Sequence, residues 1–429
     1  MSSNDLRAKQ LERLRKEELD VLVIGGGING AVSALALAAH GARAGLIDRG
    51  DFACGTSQSS SNLIWGGIKY LEHLEFPLVW HLCASRNRLL DLFPGSVREV
   101  RFLTLPGRVL KQSLPSLYAG TWLYWLLGRC RTRPPKLVPR SAMADREPAL
   151  DGSALKHGLE YSDACLPATD ARFTLDFVFA ALRSGAAAAN YAEAVSARRE
   201  ADGWLVRVRD RASGTEFEVR SRAVINAAGP FADGVNSLLG VSTRFRHVFS
   251  KGVHLIVPRL QRKEEVVTIF AADGRPFFIL PFGDLTMIGT TDTPVEDPAA
   301  AITDEDRAFI LRAANTYLKP ERRLSESDII AERCGVRPLA LEKGSRAATD
   351  WMALSRRHRL ETDGEAKALT IFGGKLTDCL NVAEEVVEEA RRLGFKLKPR
   401  DPLWHGALKT VGRGPADAAA ALIELGGER

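Results

Sequence analysis

A chain of 429 residues with 45% apolar and 26% charged side chains is long enough for two or three domains, each with its own core. No window holds the roughly 18 consecutive apolar residues of a membrane-spanning helix, and Met1 to Glu18 is too charged for a secretory signal, so a cytoplasmic protein is expected. Six scattered cysteines form no C-x-x-C pair, which argues against a metal site or a disulfide framework, and the net charge of +6 suits an anionic substrate, an anionic membrane or nucleic acid, or is plain surface charge.

Asp20 to Ile24 reads as an apolar strand that runs into Gly25-Gly26-Gly27-Ile28-Asn29-Gly30, and a small-residue helix follows through Ala31 to His40. This G-x-G-x-x-G spacing marks a dinucleotide site. Gly25 makes the tight turn, Gly27 admits a pyrophosphate against bare backbone, and Gly30 brings helix and strand close. The phosphates then sit on the helix N-terminus, where free N–H groups and the dipole favour anions. A second strand, Arg43 to Ile47, ends at Asp48, about 20 residues beyond the glycines, where an acid accepts hydrogen bonds from ribose hydroxyls.

From about 85 to 155 the βαβ rhythm gives way to Pro-rich and aromatic stretches. Leu114 to Gly128 carries Trp122, Tyr124 and Trp125 and runs into Arg129, Arg131, Arg133 and Lys136. Two readings stand: an interfacial segment that dips below lipid headgroups, or a buried helix with a basic exit. Arg172 to Ala189 is predicted as a helix, followed by alternating runs at 203–208 and 216–220 around a hairpin loop at 210–214. The apolar strand from Ala223 ends in Ala228 and Gly229, small residues that let backbone pass close to a cofactor.

Strands at Val253–Val257, Val266–Phe270, Phe277–Leu280 and Leu285–Ile288 predict an antiparallel sheet forming a second domain. A helix from Thr303 to Leu318 interrupts it, with Asp304, Glu305 and Asp306 in its first turn. Ala368 to Phe372 is again a strand, Gly373-Gly374 a turn, and Leu376 to Leu393 a helix with an apolar stripe.

These segments carry further motifs in a fixed order: Thr56 to Ser61, Gly66 to His73, Tyr161-Ser162-Asp163, Asp170-Ala171-Arg172, Lys251 to His254, Ile288 to Asp292, Gly335 to Leu339 and Phe372 to Thr377. From about 19 to 395 the chain resembles the FAD-dependent glycerol-3-phosphate dehydrogenases, a branch of the D-amino-acid-oxidase-like flavoproteins. The resemblance implies an α/β and α+β fold, with a Rossmann-type FAD-binding domain and a second, mainly antiparallel β-sheet substrate domain. The expected division is a charged extension at 1–18, FAD-binding segments at 19–84, 155–244 and 341–395, substrate segments at 85–154 and 245–340, and a tail at 396–429. The reaction implied is oxidation of the secondary alcohol of sn-glycerol 3-phosphate to dihydroxyacetone phosphate by hydride transfer to flavin N5. Electrons would pass on to quinone or oxygen, and no nucleic-acid partner is expected; for the 114–136 stretch, peripheral membrane contact and a buried helix both stay open.

The chain departs from that pattern beside the expected substrate site. It has Trp65-Gly66-Gly67-Ile68-Lys69-Tyr70 where the family commonly reads His-Gly-Gly-x-Arg-Tyr, and Asn62 where lysine is frequent. Lysine keeps the charge but loses the planar fork that grips a phosphate. The family also commonly continues into a helical C-terminal domain, expected here to be short or absent.

A phosphate dianion needs converging cations. Arg337, Arg356, Lys69 and Lys375 are the candidates, with Tyr70 and Thr291 beside them; Arg337 also reads as a structural ion pair, and Arg357 rivals Arg356. His254 is the first choice for the base that takes the alcohol proton, against the alternative of a packed core histidine. Lys375 opposes the dipole of the helix it precedes and is placed at catalysis or flavin contact, near N1. Thr290 and Asp292 either orient substrate or cap a turn. Cofactor contacts are expected from Gly25, Gly27, Asn29, Gly30, Asp48, Thr56, Ser57, Ser61, Ala228, Gly229, Gly374, Lys375, Leu376 and Thr377. Two competing functions are an FAD-dependent oxidase of a 2-hydroxy acid or amino acid, and a flavin-binding protein without turnover whose pocket Trp65 fills.

Overall fold

The computed structural model describes residues 3–106, 113–151, 157–271, 274–345, 357–399 and 404–407. In chain order the first half holds α1 (Ser3–Lys16), β1 (Leu19–Ile24), α2 (Ile28–Ala39), β2 (Ala44–Ile47), β3 (Leu63–Ile64), α3 (Phe76–Leu92), β4 (Arg98–Thr104), α4 (Leu114–Leu127), β5 (Lys136–Val138), α5 (Arg140–Arg146), β6 (Gly158–Cys165), α6 (Asp170–Arg183) and β7 (Ala187–Ala189). Then come β8 (Ala192–Glu200), β9 (Gly203–Asp210), β10 (Glu216–Asn226), α7 (Ala232–Leu239), β11 (Phe245–Pro258), β12 (Val266–Phe270), β13 (Pro276–Phe282), β14 (Leu285–Gly289) and β15 (Thr293–Val295). The last elements are α8 (Asp304–Asn315), β16 (Ala331–Glu342), β17 (Arg359–Asp363), β18 (Ala368–Phe372) and α9 (Cys379–Arg392).

The strands form two sheets. The first runs β17-β18-β10-β1-β2-β7, parallel from β18 to β7, with β8 and β9 folded antiparallel onto the outer half of β10. Its central strands are covered on both faces, which is why β1 and β2 read as nearly unbroken apolar runs. Helix α2 carries no charge and is buried all round, wedged among β1, α6 and α9. The second sheet runs β15-β11-β14-β13-β12-β4-β6-β3, with β16 along the other side of β11 and β5 beside β6. The long β11 pairs residue for residue with β16, His254 opposite Arg333 and Ser250 opposite Arg337.

Four expectations need correction. The helix predicted to Ala189 stops at Arg183, because Gly185 at φ +94° provides the left-handed turn that ends it, and Ala187 to Ala189 becomes a strand parallel to β2. The helix from Thr303 starts with Thr303 and Asp306 bonding each other's backbone, but ends at Asn315, and Leu318 bridges to Leu150. One 3₁₀ turn, Leu376–Asp378, precedes α9. The N-terminal stretch expected as an extension is α1, whose Leu11 and Leu14 are buried against the first sheet and whose Arg7 and Arg13 bond to Asp210 and to the Gly185 and Ala186 carbonyls. In addition β6, within the range expected for the FAD-binding segments, is a strand of the second sheet, paired with β4.

Candidate active site

The dinucleotide turn is dictated by backbone sterics. Gly25 sits at φ +113°, and a Cβ there would stand 2.5 Å from the Ala227 carbonyl oxygen. A Cβ on Gly30 would lie 1.8 Å from the carbonyl oxygen of Gly25. Gly27 differs: its Cβ would meet only the Ser57 hydroxyl, at 3.1 Å. That hydroxyl accepts the Ile28 N–H at 3.0 Å, standing where an anion on the α2 N-terminus would stand. Asp48 accepts the N–H groups of Gly26 at 2.6 Å and Gly50 at 2.8 Å, so it holds the turn itself; burial pushes its carboxyl above the ordinary range while those two donors pull it down.

Asn29 closes the turn on the far side, its amide donating to the Gly373 carbonyl at 3.1 Å. Its Oδ1 is buried and has no hydrogen-bond partner. Gly374, at φ +101°, would bring a Cβ within 3.3 Å of the same amide. Gly229, at φ +54° beyond β10, has open space where its Cβ would be, and the Ala228 N–H donates to Asn226. An uncovered glycine, an orphaned buried acceptor and a helix N-terminus fit the pyrophosphate and flavin of FAD.

The segment from Thr56 to Ser61 seams the two sheets together. Thr56 donates its hydroxyl to the Val336 carbonyl at 2.7 Å, and Gly335 leaves room for Ser59, which a Cβ would approach to 2.9 Å. Arg333 reaches back to Gln58 and forms an ion pair with buried Asp170 at 2.9 Å. The hydroxyl of Ser61, expected at the cofactor, lies 2.8 Å from His254 Nε2 on β11.

His254 is 1% exposed, with Nδ1 buried and unpartnered. Burial, reinforced by the positive charges of Arg337 and Arg333, pushes its pKa down to about 3, so the ring is neutral at ordinary pH. Arg337 reaches across from β16 and lays its guanidinium over Gly252, where a Cβ would stand 2.3 Å from Nη2. Gly252 and His254 share one face of β11, so this glycine lets the cation lie beside the imidazole. Nη1 of Arg337 donates to Asp292 at 3.2 Å, and Nη2 donates to Thr290 at 3.1 Å. Asp292 also accepts from Ser250. Thr291 has its hydroxyl engaged by the Val253 N–H at 2.9 Å, so it ties down β11 rather than opening into a pocket.

Lys375 donates to the Tyr70 hydroxyl at 2.6 Å and lies 4.3 Å from the centroid of the Tyr70 ring and 5.7 Å from that of Trp65. Lys69 is half-buried on the same 3₁₀ segment as Tyr70. Thr377 donates to the Trp65 carbonyl at 3.4 Å, and Leu376 packs against the core beneath α2. Arg356 lies outside the described residues. Sequence reasoning passed over His247, whose Nε2 accepts the Gly373 N–H at 3.2 Å, and a cluster in which His81 and His358 both contact Asp378 at 2.8 Å. It also passed over a fully buried set, Arg86, Tyr124 and Asp163, under the turn at Gly66. Asp163 stood in the Tyr161-Ser162-Asp163 motif and Tyr124 in the aromatic stretch, but nothing in either pattern tied them to each other or to Arg86.

Residues 20–350 match the family model described as FAD dependent oxidoreductase. The chain is 34% identical over 420 residues to a glycerol-3-phosphate dehydrogenase of Pseudomonas aeruginosa, covering 95% of this chain and 78% of that one. It is 34% identical over 385 residues to the aerobic glycerol-3-phosphate dehydrogenase of Escherichia coli, covering 87% and 73%. Among solved structures it superposes on the glycerol-3-phosphate dehydrogenase of Bacillus halodurans complexed with FAD, with a TM-score of 0.72 and 27% identity over 92% of this chain and 68% of that one. The glycine turn, the seam and the Arg337 site thus stand in a chain that belongs to the FAD-dependent oxidoreductases, in their glycerol-3-phosphate dehydrogenase branch.

Proposed function

We propose that this protein oxidises sn-glycerol 3-phosphate to dihydroxyacetone phosphate. The observation that carries the reading is the guanidinium of Arg337, oriented by Asp292 and Thr290 and laid over Gly252 beside a buried, neutral His254. Bound FAD would supply the hydride acceptor, held by Gly27, Asn29, Ser57, Gly229 and the turn at Gly374. Arg337 grips the phosphate, and Lys69 and Lys375 add charge from the opposite segment. His254 takes the alcohol proton once the phosphate dianion offsets the Arg337 charge that, together with burial, holds its pKa to about 3 in the free protein, and Ser61 at 2.8 Å fixes its orientation. Tyr70 holds Lys375 in place through its hydroxyl. Anaerobic addition of sn-glycerol 3-phosphate to the FAD-loaded protein should bleach the flavin band; persistence of the yellow colour would reject the reading.

Peripheral attachment to an anionic membrane, with a quinone as electron acceptor, extends this reading. Trp122, Leu123 and Leu126 of α4 and Leu74, Phe76 and Trp80 around the start of α3 are exposed apolar side chains on two helices that pack against each other, and Arg129 lies 4.8 Å over the Trp80 ring. Arg131 and Arg133 follow, exposed but paired with Asp91 and Glu99, which anionic headgroups would have to compete with. Tyr124 is 2% exposed and faces inward, so it drops out of the interfacial set. No helix among the described residues is long and apolar enough to cross a membrane. Vesicles of anionic lipid should bind the protein, and Trp122→Ser with Leu126→Ser should abolish that binding; equal retention of both proteins would remove the membrane contact.

A further inference from the structure

The Trp65 to Tyr70 segment brings Lys69, Tyr70 and Trp65 to the candidate site, yet it contains only a two-residue strand's continuation and a 3₁₀ turn. Something other than regular structure must hold it. Its carbonyl at Trp65 accepts from Thr377, and Tyr70 is held by Lys375, so one side rests on the 373–378 turn. The other side rests on a carboxylate. Asp163, on β6 and wholly buried, accepts the Gly66 N–H at 3.1 Å.

Asp163 is itself fixed from two helices. Arg86 of α3, 1% exposed, donates to Oδ1 at 2.8 Å, and the Tyr124 hydroxyl of α4 lies 2.9 Å and 2.8 Å from the two carboxylate oxygens. Asn87 takes two further guanidinium contacts, at 3.1 and 2.9 Å, and donates to the Gly128 carbonyl at 2.8 Å. The fit is close. A Cβ on Gly66 would stand 2.3 Å from the Tyr124 hydroxyl and 2.8 Å from the Cys83 sulfur. Burying such an ion pair brings little net stability over an apolar core, because desolvation opposes the attraction. What it does bring is geometry, since a satisfied buried polar network admits one arrangement of its members.

We infer that Asp163, held by Arg86 and Tyr124, is a positioning residue that sets the Trp65–Tyr70 segment against Lys375 and thereby the substrate end of the site. Asp163 touches no reacting atom; it acts through the amide of Gly66. The inference rests on the proposed function only for its kinetic consequence, and the anchoring itself does not depend on which alcohol is oxidised.

The test uses FAD-loaded protein. Asp163→Asn strips the buried Arg86 guanidinium of its counter-charge and endangers folding. Tyr124→Phe, which keeps the ring and the ion pair, is therefore the primary variant. Hydrogen exchange of the peptide spanning 63–71 should accelerate about tenfold in Tyr124→Phe, with protection of β1 and α2 unchanged. The KM for sn-glycerol 3-phosphate should rise about tenfold while kcat and FAD content stay within about twofold of the parent, the signature of a displaced binding segment. Unchanged exchange together with unchanged KM would overturn the inference. So would exchange that rises throughout the molecule while kcat and FAD content fall together, because that marks a merely structural role. If the parent protein is not reduced by sn-glycerol 3-phosphate but exchange still rises only at 63–71, the anchoring stands and the proposed substrate falls.

Discussion

At the dinucleotide turn the proposed functional atoms are backbone amides exposed by the motif glycines 25, 27 and 30, whereas the proposed substrate side is made of side chains drawn from segments as far apart as Ser61, Lys69, His254, Arg337 and Lys375. The first region is specified by what is missing: any Cβ at Gly25 or Gly30 would overlap a carbonyl oxygen. The second is specified by what is present and by how it is held, Arg337 by Thr290 and Asp292, Lys375 by Tyr70, and the loop of Trp65 by Asp163. Steric specification is local and unforgiving; side-chain specification is long-range and can be retuned one residue at a time.

The contrast can be broken most directly at the glycines. Gly30→Ala places a methyl 1.8 Å from backbone that cannot turn away, and should cost more than about 4 kcal/mol and leave no FAD bound. Gly27→Ala meets only the rotatable Ser57 hydroxyl, so the apo fold should keep its unfolding free energy to within about 1 kcal/mol while FAD affinity falls at least about a hundredfold. Denaturant unfolding of both apo proteins, with FAD titration, separates the two. Equal loss of stability would show that Gly27 serves the fold and not the cofactor.

The next largest effect belongs to Arg337. Arg337→Lys keeps a charge but loses the fork that Asp292 and Thr290 orient, and should raise KM for sn-glycerol 3-phosphate about a hundredfold, near 3 kcal/mol, with FAD content unchanged. Steady-state kinetics at matched flavin loading measure it. Loss of flavin in this variant would erase the distinction between the two regions.

The same distinction governs how much of the molecule was legible. G-x-G-x-x-G carries its own steric argument, so the turn, β1, α2 and the acid at 48 were readable without any long-range knowledge. The tie between His254 and Ser61 was not, because nothing in residue spacing says that positions 193 apart share a hydrogen bond. Asp48 shows the limit of motif logic: its expected partner was a ribose, while the structure also makes it the buttress of Gly26 and Gly50. The strand at 187–189 was absorbed into a helix because alanine favours helices and packs equally well in a buried parallel strand, and the Gly185 stop was overlooked. Arg86, Tyr124 and Asp163 form a network visible only once three elements are packed together.

Titration offers a third comparison within the site, between histidines buried neutral and a histidine buried charged. Burial depresses the pKa of His254 to about 3 and of His247 to about 4, so unfolding takes up protons below about pH 6.5 and stability falls as pH is lowered. His358 is the opposite case. Burial alone would lower it, but bonds to Asp378 and Glu385 raise it to about 9; its contribution is fully present below about pH 6.5 and is lost as pH rises toward 9. Urea unfolding should therefore show a stability maximum near neutrality with a fall of about 2 kcal/mol toward pH 9.5. In His358→Asn the alkaline fall should flatten while the acid fall persists. An alkaline limb unchanged by that substitution would assign it elsewhere than to His358.

The smallest expected effect bears on the residue that most sets this chain apart. Lys69 stands where the resemblance leads one to expect arginine, on the segment that Asp163 and Lys375 hold, and a half-buried ammonium contributes a point charge without bidentate geometry. Because the segment is already anchored at Gly66 and Tyr70, Lys69→Arg needs no rearrangement of the loop to present its fork to a phosphate. The substitution should lower KM for sn-glycerol 3-phosphate about threefold to tenfold, roughly 1 kcal/mol, at constant kcat. In the Tyr124→Phe background the gain should shrink, since a fork on a loosened segment pays more entropy to meet its ligand. A gain of equal size in both backgrounds would mean that the anchoring of the segment and the grip of residue 69 are independent, and that the substrate side is a sum of separate contacts after all.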